Sequence, residues 1–126
     1  YEHTDLSSTL KVTGQFSVNR ARLQLMMQFI HENYRKNLSL DEIAAQSIIS
    51  KSSALNLFRS YLHITPVNYL INYRLKQAAL LLSHTEKKVS TISAETGFHN
   101  VDYFCRAFKK HYQVTPGEYR KEKWDK

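Results

Sequence analysis

A chain of 126 residues with 42% apolar side chains can bury a core but fills one domain, or two small ones sharing that core; it is too apolar for a disordered tail. Its longest apolar runs are a few residues, which excludes a membrane span, and no charged-then-apolar leader precedes a cleavage site. A net charge of +7 draws polyanions, whether nucleic acid or an acidic membrane surface.

Only three glycines and two prolines interrupt the chain, a composition that predicts helices throughout. Residues 1–18 read as a linker or arm, with no sustained period up to Gly14; a start at Tyr1 rather than Met predicts a fragment of a longer protein. Ser17 is placed to cap a first long helix, with Leu23, Met26, Met27, Ile30 and Tyr34 as its apolar stripe and Lys36-Asn37 as its end. Ser39 and Glu42 make a capping box for the next helix, where Ile43, Ala44 and Ile48 face inward. Ser50 opens a helix to Leu62. Thr65-Pro66 then opens a long helix to about Ser83, roughly 27 Å in length, with apolar surface on more than one side. Ser90 is the expected cap of a short helix to Glu95, Gly97 its left-handed terminator. Asn100 caps a helix to Tyr112, and Thr115-Pro116 starts a last one over Gly117–Lys121.

The chain repeats itself at a step of about 50 residues. Ile43 matches Ile92, Ala45 matches Ala94, Phe58 matches Phe108, and Ile64-Thr65-Pro66 matches Val114-Thr115-Pro116; Tyr69 and Tyr119 follow at the same distance. The second copy holds one extra residue in its turn. Each copy reads as a helix-turn-helix, and two copies in a basic chain suggest two reading heads for one strip of duplex DNA. In the first copy Ala54, Leu57, Phe58, Tyr61 and Leu62 recur at helical spacing and face inward. That leaves Ser52, Ser53 and Asn56 outside, near the helix start where a recognition helix meets base edges. Asn pairs with adenine N6 and N7, serine is permissive, and Leu55 at the edge either meets a thymine methyl or packs on a neighbour. In the second copy Val101, Phe104 and Phe108 face inward, leaving Asp102, Tyr103 and Arg106 for bases. The Arg106 guanidinium fits guanine O6 and N7, and Asp102 can orient it or accept from cytosine N4. Taken alone, Asp102 and Arg106 are also an ordinary exposed helix pair. Ser50, Lys51, Arg59, Ser90, Thr91, Lys109 and Lys110 flank these faces as phosphate holders.

The run Glu95-Thr96-Gly97-Phe98, then Tyr103 to Lys110, then Thr115-Pro116-Gly117-Glu118-Tyr119-Arg120 resembles the signature of the AraC/XylS family of bacterial transcription regulators. The upstream half follows the same pattern through Ala44-Ala45, Ser50, Leu57-Phe58, Thr65-Pro66, Tyr69-Leu70 and Arg74-Leu75. The resemblance runs from about Asn19 to Glu122; one departure is Ile48, which stands where the family often has Gly. It implies an all-α domain of seven helices: two homeodomain-like helix-turn-helix units, at 19–65 and 84–126, joined by a linker helix at 66–83. It implies action on double-stranded promoter DNA with RNA polymerase as a second partner, and a missing region that senses an effector or dimerises. The family position also favours the base-reading role of Arg106. Two heads on one face of DNA sit about one turn, near 34 Å, apart; family members differ in whether both insert.

Catalysis is not supported: no phosphate loop, metalloprotease helix or nucleophile elbow is present. The six histidines are scattered and Cys105 has no thiol partner, so neither a metal nor another cofactor is expected. Cys105 reads as a partly buried structural thiol, consistent with a reducing cytoplasm. Arg74 reads as structural, paired with a carboxylate. Two other readings stay open: a DNA module appended to a repair enzyme, and a basic helical module for protein or membrane, which the polar outer faces disfavour.

Overall fold

The computed structural model describes the backbone of residues 2–125 and the side chains of residues 14–125. The described elements are all helices: α1 (Glu2–Asn33), α2 (Leu40–Ala45), α3 (Lys51–Leu62), α4 (Pro66–His84), α5 (Val89–Glu95), α6 (Val101–Tyr112) and α7 (Pro116–Trp124). They divide into two compact units, the first built from residues 1–32 and 39–66, the second from 33–38 and 67–126.

Side-chain caps set most of the helix starts. Ser39 accepts from the Glu42 N–H while the Ser39 N–H donates to the Glu42 carboxylate, both at 3.1 Å, and Thr115 with Glu118 repeats the arrangement at 3.1 and 2.8 Å. Those bonds from Thr115 hold the Glu118 carboxyl below its usual range. Ser50 and Asn100 accept from the N–H groups of Ser53 and Tyr103. Two expected caps are not caps. Ser17 lies inside α1, which runs from Glu2 through Gly14 without a break; the chain has no proline before residue 66, and one glycine costs a helix only about 1 kcal/mol. The side chains of the arm expected over residues 1–18 lie outside the described residues up to position 13. Ser90 is the second residue of α5, because the Lys88 carbonyl already accepts the first helical bond, from the Ile92 N–H. Two helix ends also move: α1 stops at Asn33, before Lys36-Asn37, and α7 extends to Trp124, past Lys121.

In the first unit the buried side chains are Leu23, Met26, Ile30, Ile43, Ala44, Ala54, Phe58 and Pro66. In the second, Leu75, Ala78, Ala79 and Leu82 of α4 pack with Ile92, Phe98, Phe104 and Phe108. Aromatic rings stack through this core, Phe98 on Phe104 at 5.0 Å and Phe108 on Tyr112 and Tyr119 at 4.6 and 5.4 Å. Burying such rings is the largest stabilising contribution a small unit has. From Val67 onward, α4 therefore belongs to the second unit. The Ser93 hydroxyl, where the first unit has Ala44, is buried with no hydrogen-bond partner among the described residues.

The second unit is closed by two arginines that cap the C-terminal ends of long helices. Arg74 donates from Nε to the Tyr34 carbonyl and from a terminal nitrogen to the Lys36 carbonyl, both at 2.7 Å. Its partners are thus backbone oxygens left open beyond a helix end, not the carboxylate expected, and burial lowers its pKa. Arg120 binds the Leu82 and Thr85 carbonyls at 3.0 and 3.1 Å, and Trp124 Nε1 binds that of Ser83 at 3.0 Å.

Candidate nucleic-acid interface

In both units the turn is built the same way. Ile49 N–H donates to the Ala44 carbonyl and Phe98 N–H to that of Ser93, at 3.3 and 2.9 Å. The extra residue of the second copy is His99, exposed between Phe98 and the cap Asn100. Just before this bond the chain takes a positive φ, 55° at Ile48 and 94° at Gly97. Ile48 was expected inward but is 93% exposed: the left-handed turn points its side chain to water. A Cβ on Gly97 would stand 2.6 Å from the Tyr34 carbonyl and 2.7 Å from Arg74 Nε, so only glycine fits there.

Those turns lead into α3 and α6, whose residues show the same burial at all but one of their positions: Tyr61 is half-buried where His111 is exposed. Ala54 and Phe58, like Phe104 and Phe108, are sealed in the core. Both helices end in a left-handed residue, His63 and Gln113, whose N–H bonds the carbonyl of Arg59 or Lys109. The outer faces consequently superimpose in register: Ser52 with Asp102, Ser53 with Tyr103, Asn56 with Arg106, Arg59 with Lys109.

All of those eight side chains are exposed, as are Ser50, Lys51, Ser90, Thr91 and Lys110. Leu55 is half-buried, so only part of it faces out. Tyr103 keeps 43% of its surface while its ring lies 6.1 Å from Phe98. Val101, expected inward, is 39% exposed; at the first position of α6 it precedes the turn on which the core closes. Among the described residues Asp102 and Arg106 form no ion pair; the exposed pairs are Lys51 with Asp41 at 3.8 Å and Lys87 with Glu95 at 2.9 Å. Arg106 therefore presents its five N–H donors to solvent. Cys105, on the edge of this helix, is half-buried, and burial raises its thiol pKa, the opposite of an activated nucleophile. The sequence reading passed over Asn19 and Arg22 of α1, which share a groove with Ser53 and Asn56. Their step of three residues beside Leu23 and Met26 marks the rim of that apolar stripe, the one clue in the sequence.

A family model described as a helix-turn-helix domain matches residues 43–122. A transcriptional regulator from Chromobacterium violaceum, solved as an AraC-type DNA-binding-domain protein, aligns with a TM-score of 0.79 at 29% identity, over 82% of this chain and 93% of that one. The chain belongs to the AraC-type helix-turn-helix family. Two relatives of this AraC-type domain are an HTH-type transcriptional regulator, YdeC, of Bacillus subtilis, 33% identical over 79% of this chain and 34% of its own length, and the lactose operon transcription activator of Staphylococcus xylosus, 31% identical over 84% of this chain and 38% of its own. The AraC-type domain thus spans little more than a third of either relative. It is a DNA-binding domain of the kind carried by transcription regulators. No helix among its described residues is long and apolar enough to cross a membrane.

Proposed function

We propose that this domain reads promoter DNA with both units, α3 and α6 lying in adjacent major grooves. Ser52, Ser53, Leu55 and Asn56 of α3 and Asp102, Tyr103 and Arg106 of α6 meet base edges. Ser50, Lys51, Arg59, Ser90, Thr91, Lys109 and Lys110 hold phosphates on either side. The observation that carries this reading is the repeated burial pattern of α3 and α6, which turns the same face of each helix to solvent. The two faces differ in chemistry: the first is mostly hydroxyl and amide, suited to adenine and permissive contacts, the second offers Arg106 for guanine.

The wider protein, on this reading, acts in the cytoplasm and engages RNA polymerase as an activator, activator being the word in the S. xylosus relative's name. A region beyond this domain senses an effector or dimerises.

Arg106→Ala tests the base-reading role. It is expected to cost about 1–3 kcal/mol on the cognate duplex and to relax preference at one base pair, with little change on random DNA. Equal weakening on both duplexes would reduce Arg106 to a phosphate contact.

A further inference from the structure

The first unit carries an open groove of about 340 Å³ between α1 and α3, with Asn19 and Arg22 on one wall and Ser53, Asn56, Ser60 and Tyr61 on the other. No carboxylate lines it. The backbone of Arg22 is held in place, since the Ser47 hydroxyl donates to its carbonyl at 2.7 Å. Its side chain is half-buried, yet the guanidinium makes no hydrogen bond or ion pair with any described residue. A guanidinium left without an acceptor is suited to an anion that brings one.

We propose that this groove seats a backbone phosphate of the DNA, held by Arg22 and Asn19, so that α1 is part of the first reading head. The proposal rests on the reading of Ser53 and Asn56 as base-facing. Both also line the groove, so a duplex laid on them passes one strand along its mouth. A phosphodiester offers two non-bridging oxygens that share one negative charge to the guanidinium fork, and their remaining lone pairs can accept from the Asn19 amide. A free inorganic anion has the same chemistry, and the two sources are separable.

The test measures binding of the whole chain to a mixed-sequence duplex across a range of salt, for wild type, Arg22→Gln and Arg22→Lys. Arg22→Gln is expected to lower the slope of log affinity against log salt by about 1 and to weaken all sequences alike, with Arg22→Lys restoring the slope. An unchanged slope in Arg22→Gln overturns the proposal. Independently of any variant, the Arg22 Nε–H resonance of the wild-type chain shifts when duplex is added; a stationary resonance also overturns it. Inorganic phosphate at constant ionic strength is the second arm: an Arg22 Nε–H shift with phosphate but none with duplex would make this a free-anion site instead. Failure of the wild type to bind duplex in a salt-dependent way removes the interface reading itself. Normal wild-type binding with an indifferent Arg22→Gln removes this proposal alone.

Discussion

Ile48 and Gly97 occupy the same place in the two turns and answer to different constraints. Both take positive φ, where a side chain costs about 1–2 kcal/mol. Ile48 meets only that backbone cost, because its side chain stands in water. Gly97 meets a second one, since any Cβ would press on the Tyr34 carbonyl and Arg74. Ile48→Gly is therefore expected to stabilise the first unit by about 0.5–1 kcal/mol, the strain relieved less the entropy a glycine adds to the unfolded chain. Gly97→Ala should destabilise the second by roughly 2–5 kcal/mol. Thermal melts of the two variants check this; a lower melting temperature for Ile48→Gly would show that the isoleucine makes an unrecognised contact. Sequence showed that Ile48 departs from a glycine pattern. It did not show which turn needs its glycine, because that depends on a carbonyl 63 positions away in the chain.

Among the elements, those started by a side-chain cap were legible in the sequence. Ser39, Ser50, Asn100 and Thr115 all accept from backbone N–H groups at the helix starts expected of them. A capping residue works only where the chain before it leaves the helix. Nothing forces that before Ser17, and at Ser90 the helix has already begun, so both were misread. Arg74 was read as structural, but its partners, like those of Arg120, were illegible for another reason: a guanidinium that binds carbonyls leaves no trace in side-chain patterning. Arg74→Leu is expected to cost about 2–4 kcal/mol by leaving two carbonyls at a helix end without their charged donor. The loss should be the same at neutral pH and at a pH low enough to protonate carboxylates, because the partners are backbone oxygens. Urea titrations at the two pH values measure it; a loss confined to neutral pH would point to a carboxylate partner after all.

At the scale of the molecule, duplication explains more than any single motif. One sequence pattern written twice yields two units whose α3 and α6 share a side-chain cap, a turn bond and burial at all but one position, and the core faces were readable from apolar spacing because helical period decides them. The outer faces were readable by elimination. Their departures, Val101 turned out and Ile48 exposed, fall at a helix start and a turn, where helical period no longer governs direction. The contribution of α1 was not readable, since Arg22 gains its meaning only from the groove that folding creates. A net charge of +7 and the exposed cations of α3 and α6 together predict DNA binding that weakens steeply as salt rises.

The measurement that bears most directly on two-headed promoter reading is selection of bound fragments from the source genome at near-physiological salt, sequenced before and after enrichment. Two short related boxes about one helical turn, near 34 Å, apart should emerge, with a guanine requirement in the box read by α6. Fragments that enrich without any shared box, or with a single box and random flanks, would contradict the account.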